Sequence, residues 1–141
     1  YEQWICNKMT EFIICLKKYA DFTGRATRTE YWIFYLATVI LTNFPAIVGI
    51  MLLLVGEENS DESIAGIGGL FIIVANLILF ALMIPNLAVG VRRLHDVGKS
   101  GNYLFMGLIP FAGPFILLLT LCEDSQRGAN QYGVSKKYPS L

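Results

Sequence analysis

The sequence predicts an all-α membrane protein: an N-terminal amphipathic interfacial helix, then a bundle of three transmembrane segments, the third broken by proline and glycine. Three observations predict it. Residues 31–56, 64–91 and 101–122 carry no charge, and each run reaches the roughly 20 apolar residues that a helix needs to cross about 30 Å of hydrocarbon. Hydrophobic residues make up 55% of the 141, and a soluble domain of that size does not bury three helices that are apolar all round. Eleven basic and eleven acidic residues cancel, but they are segregated into the segments between the apolar runs. The whole chain, 1–141, is expected to form a single membrane domain.

The first element, expected over 5–22, places Ile5, Met9, Phe12, Leu16 and Tyr19 at intervals of three and four, with Lys8, Glu11, Lys17 and Lys18 mostly between them. That pattern suits a helix lying in the interface and is too polar to span. The chain opens on Tyr1, and Met9 would serve as a natural initiator. Gly24 breaks the helix. Thr27 and Glu30 then have the spacing of a capping box, in which the threonine oxygen accepts from the N–H of Glu30 and the glutamate reaches back to Thr27. Tyr31 and Trp32 fall at headgroup depth, where amphipathic rings are favoured.

The first membrane segment is expected over 31–55, with a kink at Pro45. The loop 56–63 holds Glu57, Glu58, Asp61 and Glu62 and no base. The second segment is expected over 65–91, with Pro85 and Gly90 interrupting its last third. The third, over 102–122, has Pro110, Gly113 and Pro114 at its middle. A proline there removes a donor and frees a carbonyl that lipid cannot satisfy. The segment is therefore either one kinked span or a re-entrant pair of half-helices. One crossing is the expectation, because about 20 residues suit it better. The tail 123–141 is polar and turn-rich.

Lysine and arginine set the orientation. Lys8, Lys17, Lys18, Arg25 and Arg28 precede the first segment, Arg92, Arg93 and Lys99 follow the second, and the loop between has none. The positive-inside rule puts the N-terminus in the cytoplasm and the acidic loop outside. A spanning third segment would carry Arg127, Lys136 and Lys137 outside, against the rule.

GVRRLHDVGKSGN, residues 90–102, is the densest charged stretch. On a helix Asp96 can pair with Arg92 four residues away or Arg93 three away. One role is orientation and anchoring, at about 1 kcal/mol per basic residue near anionic lipid. A sharper one is a lipid or anion site on which Arg25, Arg28, Arg92, Arg93 and Lys99 converge, with Glu30, His95 and Asp96 as its structural charge cluster. A phosphate loop is excluded, since Arg93 stands where its first glycine belongs. Ser100 reads instead as the N-cap of the third segment. His95, Asp96 and Ser100 supply the letters of a hydrolase triad. As helix neighbours His95 and Asp96 point about 100° apart, with no oxyanion hole in view. Three scattered cysteines and one histidine give no metal-ligand spacing. No catalytic residue, metal or cofactor is expected, and the balanced charge gives no reason for a nucleic-acid partner.

Larger motifs now emerge. FTGRATRTEYW at 22–32 is similar to F-x-G-R-A-x-R-x-E-[FY]-W. RRLHD at 92–96 followed by GKSG at 98–101 is similar to R-R-L-H-D-x-G-[RK]-S-G. Pro110 with Gly113, and Gly128-Ala-Asn130-Gln-Tyr132-Gly133, resemble the P-x-x-G break and terminal G-x-N-x-[YF]-G of the same pattern. Together they resemble the bacterial inner-membrane family known as domain of unknown function 805, the YhaH-like proteins, over residues 9–133. The usual proline after the last motif is displaced to Pro139. The resemblance implies a small multi-pass inner-membrane protein and brings no activity. The expected function is a non-enzymatic scaffold or accessory subunit, in contact with membrane lipids and a membrane-protein partner or second copy. The alternative is a small transporter or channel component, for which Thr42, Asn43 and Asn76 are the polar candidates near mid-membrane and none is ionisable. An enzyme acting on lipid is the third class, and the site chemistry barely supports it.

Overall fold

A computed structural model describes residues 10 and 12–138. The protein is mostly helical, with two long apolar helices and a shorter one. Helix α1 is Arg28–Asn59, α2 is Glu62–Asp96 and α3 is Ala112–Cys122; a 3-10 helix, Gly101–Leu108, precedes α3. The chain forms two compact units, one of Tyr35–Met83 and the other of Tyr1–Phe34 with Ile84–Leu141.

Both long helices outrun the apolar segments expected for them. At 32 and 35 residues they measure roughly 48 and 52 Å at 1.5 Å per residue. Glu57 and Glu58 lie in the last turns of α1 and Glu62 opens α2, so the expected eight-residue acidic loop shrinks to Ser60 and Asp61. Asp61 makes the tight turn possible: its Oδ1 accepts from the N–H of Ser63 (3.0 Å) and Ile64 (3.3 Å), capping α2. Pro45 and Pro85 sit inside the helices, and neither they nor Gly90 ends one. Only 11% of the most apolar window of each helix is buried. The core helix of a soluble protein would be mostly buried, and these two are not. Phe44, Ile40 and Phe80 point out.

In the Tyr35–Met83 unit the two helices run antiparallel at very close range. A Cβ on Gly68 would lie 2.6 Å from the Leu53 nitrogen and 2.7 Å from the Gly49 carbonyl oxygen; one on Gly49 would lie 2.8 Å from the Gly68 oxygen. Small residues let backbones approach this way where apolar burial gives no driving force between helices.

In the other unit, residues 12–17 are helical and the chain turns at 18–20, so the expected interfacial helix ends earlier than 22. Asp21 Oδ1 accepts from Thr23 N (3.0 Å) and Oγ1 (2.5 Å), and Gly24 takes φ +78°, which together turn the chain. Residues 5–9 and 11 of that expected helix lie outside the described residues. Phe12 stacks on Phe34 at 5.2 Å, and Cys15 is buried.

Residues 102–122, expected as one crossing, form two short elements folded onto each other. The 3-10 helix and α3 have 8 and 11 residues, each about 16 Å long, half of a hydrocarbon core. The chain reverses at 109–111, where Phe111 has φ 63° and is 98% exposed. A Cβ on Gly113 would overlap the Met106 carbonyl oxygen, so the reversal needs glycine there. Ser100 stands at the N-cap, but its hydroxyl makes no capping bond. The tail adds a two-residue strand pair absent from the all-α expectation: β1, Ala129–Asn130, antiparallel to β2, Gly133–Val134.

Candidate functional site

The charged residues singled out by the sequence collect around Asp96, the last residue of α2. Gly24's left-handed turn and a backbone bond from Ala26 N–H to the Arg92 carbonyl (2.9 Å) aim Arg25 inward. Its Nε donates to Asp96 Oδ1 at 2.9 Å. Its Nη1 donates to the Gly128 and Gly133 carbonyls, and its Nη2 to those of Asp96 and Gln126. A guanidinium has five N–H donors, and all five are spent. Gly128 and Gly133 have φ of +70° and +122°, a backbone that brings two carbonyls onto one guanidinium at little cost to glycine.

Arg93 binds the other carboxylate oxygen, Nη1 to Asp96 Oδ2 at 2.6 Å, and Ser125 Oγ donates to the same oxygen at 2.5 Å. Arg93 Nε donates to the Leu121 carbonyl at 3.1 Å and Nη2 to that of Glu123. Arg28 donates to the Cys122 carbonyl at 3.3 Å and pairs with Asp124 at 2.5 Å. The C-terminal carbonyls of α3 have no partner within their own helix and carry the negative end of its dipole. Arg93 and Arg28 therefore cap α3. Two buried arginines against one carboxylate leave one surplus positive charge, and backbone carbonyls take it up.

Of the two pairs open to Asp96 on its own helix, the one with Arg93 forms and the one with Arg92 does not. Arg92 is 1% exposed; its Nε reaches only the Ala88 carbonyl at 3.3 Å, and its Nη2 has no hydrogen-bond partner. Cys15 lies beside it. Burial pushes the Cys15 thiol pKa up, and the Arg92 charge opposes that shift. His95 stacks flat on Tyr132, centroids 3.7 Å apart, with Nδ1 3.2 Å from the Gly24 carbonyl. The Asp96 carboxylate serves Arg25, Arg93 and Ser125, not His95. Lys99 is exposed, 5.7 Å from the Tyr103 ring.

The capping box forms in one direction. Glu30 N–H donates to Thr27 Oγ1 at 3.2 Å. The Glu30 carboxylate does not reach back; it takes Lys136 on both oxygens, at 2.7 and 2.9 Å. A second exposed cluster joins Asp124 to Arg28, Lys137 and Tyr138. Those donors hold the Asp124 carboxyl well below the usual carboxylate range, Lys137 foremost, and Asp124 raises the Lys137 ammonium in return. A cleft of about 340 Å³ beside it is lined by Thr27, Arg28, Thr29, Ser125 and Lys137.

The five basic residues expected to converge on one anion thus do not. Arg25 and Arg93 are spent inside, Arg92 is enclosed, Arg28 faces Asp124 and Lys99 stands apart. The contribution of the tail was not foreseen. Its G-x-N-x-[YF]-G stretch was visible as a motif, and its glycines were the signal that their carbonyls had work to do. Asn130 Nδ2 also donates to the His95 carbonyl at 2.9 Å, and its Oδ1 accepts from Tyr132 N–H.

The chain matches the family described as protein of unknown function DUF805 over residues 19–134. It is 35% identical over 132 residues to inner membrane protein YhaI of Escherichia coli K12, covering 94% of this chain and 99% of that protein. It is 33% identical over 129 residues to inner membrane protein YhaH of the same organism, covering 92% and 98%. No solved structure matches. The chain belongs to the DUF805 family.

Proposed function

We propose that this chain is a multi-pass inner-membrane protein whose charged cluster is a structural clasp, and that it serves as a non-enzymatic scaffold or accessory subunit. In this reading α1 and α2 cross the membrane, and the Asp96 cluster and the N-terminus lie in the cytoplasm. The hairpin 101–122 enters and leaves on that same side. One observation carries it: Arg93, at the end of α2, donates to the carbonyls of Leu121 and Glu123 at the end of α3. The chain that leaves α2 returns to it. All eleven basic residues then fall on one side and none in the 60–61 turn, which the positive-inside rule favours over a third crossing. The names of the two relatives support the inner membrane as the location. Contact with anionic lipid is left to exposed residues such as Lys17, Lys18 and Lys99, not to the buried arginines.

The alternative, a transporter or channel component, would rest on a groove in the Tyr35–Met83 unit lined by Thr42, Asn43 and Asn76. It has no ionisable lining residue to couple an ion or proton.

A cysteine-labelling scan in sealed cells tests the proposal, with the three native cysteines replaced by alanine. Ser60→Cys is expected to react from outside, and Gln131→Cys only after permeabilisation. Labelling of Gln131→Cys from outside would sink the same-side hairpin.

A further inference from the structure

Asn43 is the thirteenth of the 26 uncharged residues 31–56, and Asn76 the thirteenth of the 28 in 64–91. Both are therefore mid-helix, and both side chains are exposed. They line one groove of about 350 Å³ with Thr42, Ala46, Ala75 and Leu79. Asn43 Nδ2 donates to the Val39 carbonyl at 2.8 Å, with a long 3.5 Å contact to Thr42 Oγ1, and Asn76 Nδ2 donates to the Ile72 carbonyl at 2.9 Å. Each carboxamide has two donors and an oxygen acceptor. Among the described residues the oxygens of Asn43 and Asn76 meet no donor, and one N–H of Asn76 meets no acceptor. If α1 and α2 cross the membrane, as proposed above, these groups face hydrocarbon, where an unmet polar group is costly.

We infer that this groove is the contact surface for a second copy of the chain, with Asn43 of each copy hydrogen-bonded to Asn76 of the other. The chemistry is self-complementary: Asn76 supplies the donor that the Asn43 oxygen lacks. Depth agrees as well. Gly49 lies level with Ile72 across the hairpin, so the level partner of Asn43 is near residue 78, about 3 Å along the helix from Asn76 at 1.5 Å per residue. A two-fold axis along the membrane normal preserves depth, so Asn43 of one copy comes within about 3 Å of the level of Asn76 of the other. The contact then occurs twice, as in any two-fold interface. Ala46, beside Asn43, leaves room for a second helix to close in, and interhelical carboxamide bonds hold membrane helices together. A polar solute would leave the same groove open to lipid whenever it departed; a second copy is always present.

The test uses the full chain without its native cysteines. One tagged version carries Asn43→Cys and a differently tagged one Asn76→Cys, so that one of the two symmetric contacts stays intact. Oxidation in native membranes should give a mixed disulfide product of twice 15.7 kDa, in greater yield than from either version alone. In mild detergent Asn43→Leu/Asn76→Leu should raise the dimer dissociation constant at least about ten-fold, while Asn43→Gln/Asn76→Gln keeps association. Helical circular dichroism confirms that the variants fold, and the cross-link stands without them. Absence of the mixed product, a monomeric mass at every concentration, a different protein co-purifying on this face, or unchanged association of the leucine variant would each overturn the inference. Labelling at Ser60→Cys reads the membrane crossing separately, so the failure of one is not mistaken for the failure of the other.

Discussion

The two units hold their helices by opposite means. In the Tyr35–Met83 unit, backbones touch: Gly49, Gly56 and Gly68 bring α1 and α2 so close that a single methyl would collide with main chain. Its polar side chains mostly bond back to their own helix, as Thr42 does to the Thr38 carbonyl at 2.9 Å. In the other unit, long side chains do the joining. Arg25 and Arg93 reach four separate stretches of chain through Asp96 and six carbonyls. Close packing suits the hydrocarbon, where apolar burial offers nothing between helices. Charged hydrogen bonds suit a water-excluded boundary, where irregular backbone leaves carbonyls that need donors. The contrast predicts that the first unit is vulnerable to added volume and the second to lost partners.

The largest effect should come from Asp96→Ala. Arg25 Nε, Arg93 Nη1 and Ser125 Oγ would lose their acceptor together. Removing one partner of a buried ion pair costs about 3–5 kcal/mol, because the other charge stays buried. The expected outcome is loss of a monodisperse folded peak in mild detergent. A variant as stable as the parent would mean that the clasp is ornamental.

Next in size is Gly68→Val. Its nearest neighbours are main-chain atoms of Leu53 and Gly49, which cannot rotate away, and overpacking of this kind costs roughly 1–3 kcal/mol. Gly69 has nothing within 4 Å of a Cβ, so Gly69→Ala should be silent. Thermal unfolding of the pair in one detergent checks this. Equal midpoints would show that the close crossing does not hold the hairpin.

Arg92 and Arg93 set a sparsely bonded charge beside a fully bonded one within one turn of helix. Its neighbour Arg93 has three good acceptors; Arg92 has an orphaned Nη2. Replacing an ill-paired buried charge by an apolar residue of similar volume is often neutral or stabilising. Arg92→Met is therefore expected to stay within about 1 kcal/mol of the parent or to gain stability, while Arg93→Met loses it. Equal losses would reveal an acceptor for Arg92.

Much of this contrast was legible in the sequence, and the reason differs by region. Uncharged runs of 26 and 28 residues announce two long apolar helices, because length and composition suffice to signal them. The loop 56–63 misled because a carboxylate does not end a helix: Glu57 and Glu58 stay in the last turns of α1, and Asp61 caps α2 just before Glu62. The segment 102–122 has the length of one crossing. Pro110, Gly113 and Pro114 signal a break there, but the choice between a kink and a reversal rests on the approach of Gly113 to the Met106 carbonyl and the bonds from Arg93 to the α3 carbonyls, which composition does not show. In the site, the cluster of Arg25, Arg93 and Asp96 was visible as charge. Carbonyls at Gln126, Gly128 and Gly133 take the Arg25 donors that were expected to meet a lipid phosphate. A carbonyl belongs to every residue, so only the glycines of the tail motif hint at it.

The smallest effect tests the exposed edge of the clasp. Asp124 is bound by Lys137 at 2.6 Å and Arg28 at 2.5 Å, and its pKa is depressed below the usual carboxylate range, first by Lys137 and then by Arg28. A carboxyl with a lowered folded pKa binds more protons when unfolded. Its contribution is therefore present above the ordinary aspartate value of about 3.9 and fades as pH falls through the depressed one. The Lys137 pKa is raised by the same pair, so from the basic side the contribution persists until pH passes that raised value. Between these limits it should be flat. Both groups are exposed, where solvent screens such pairs and salt weakens them. The thermal midpoint of Asp124→Asn is thus expected slightly below the parent's at pH 7 and low salt. The gap should close at high salt, and again as pH drops below about 4. A gap that persisted at high salt would mean that Asp124 acts through the backbone, where its Oδ1 accepts from Ser125 N–H at 2.8 Å, and not through its exposed ion pairs.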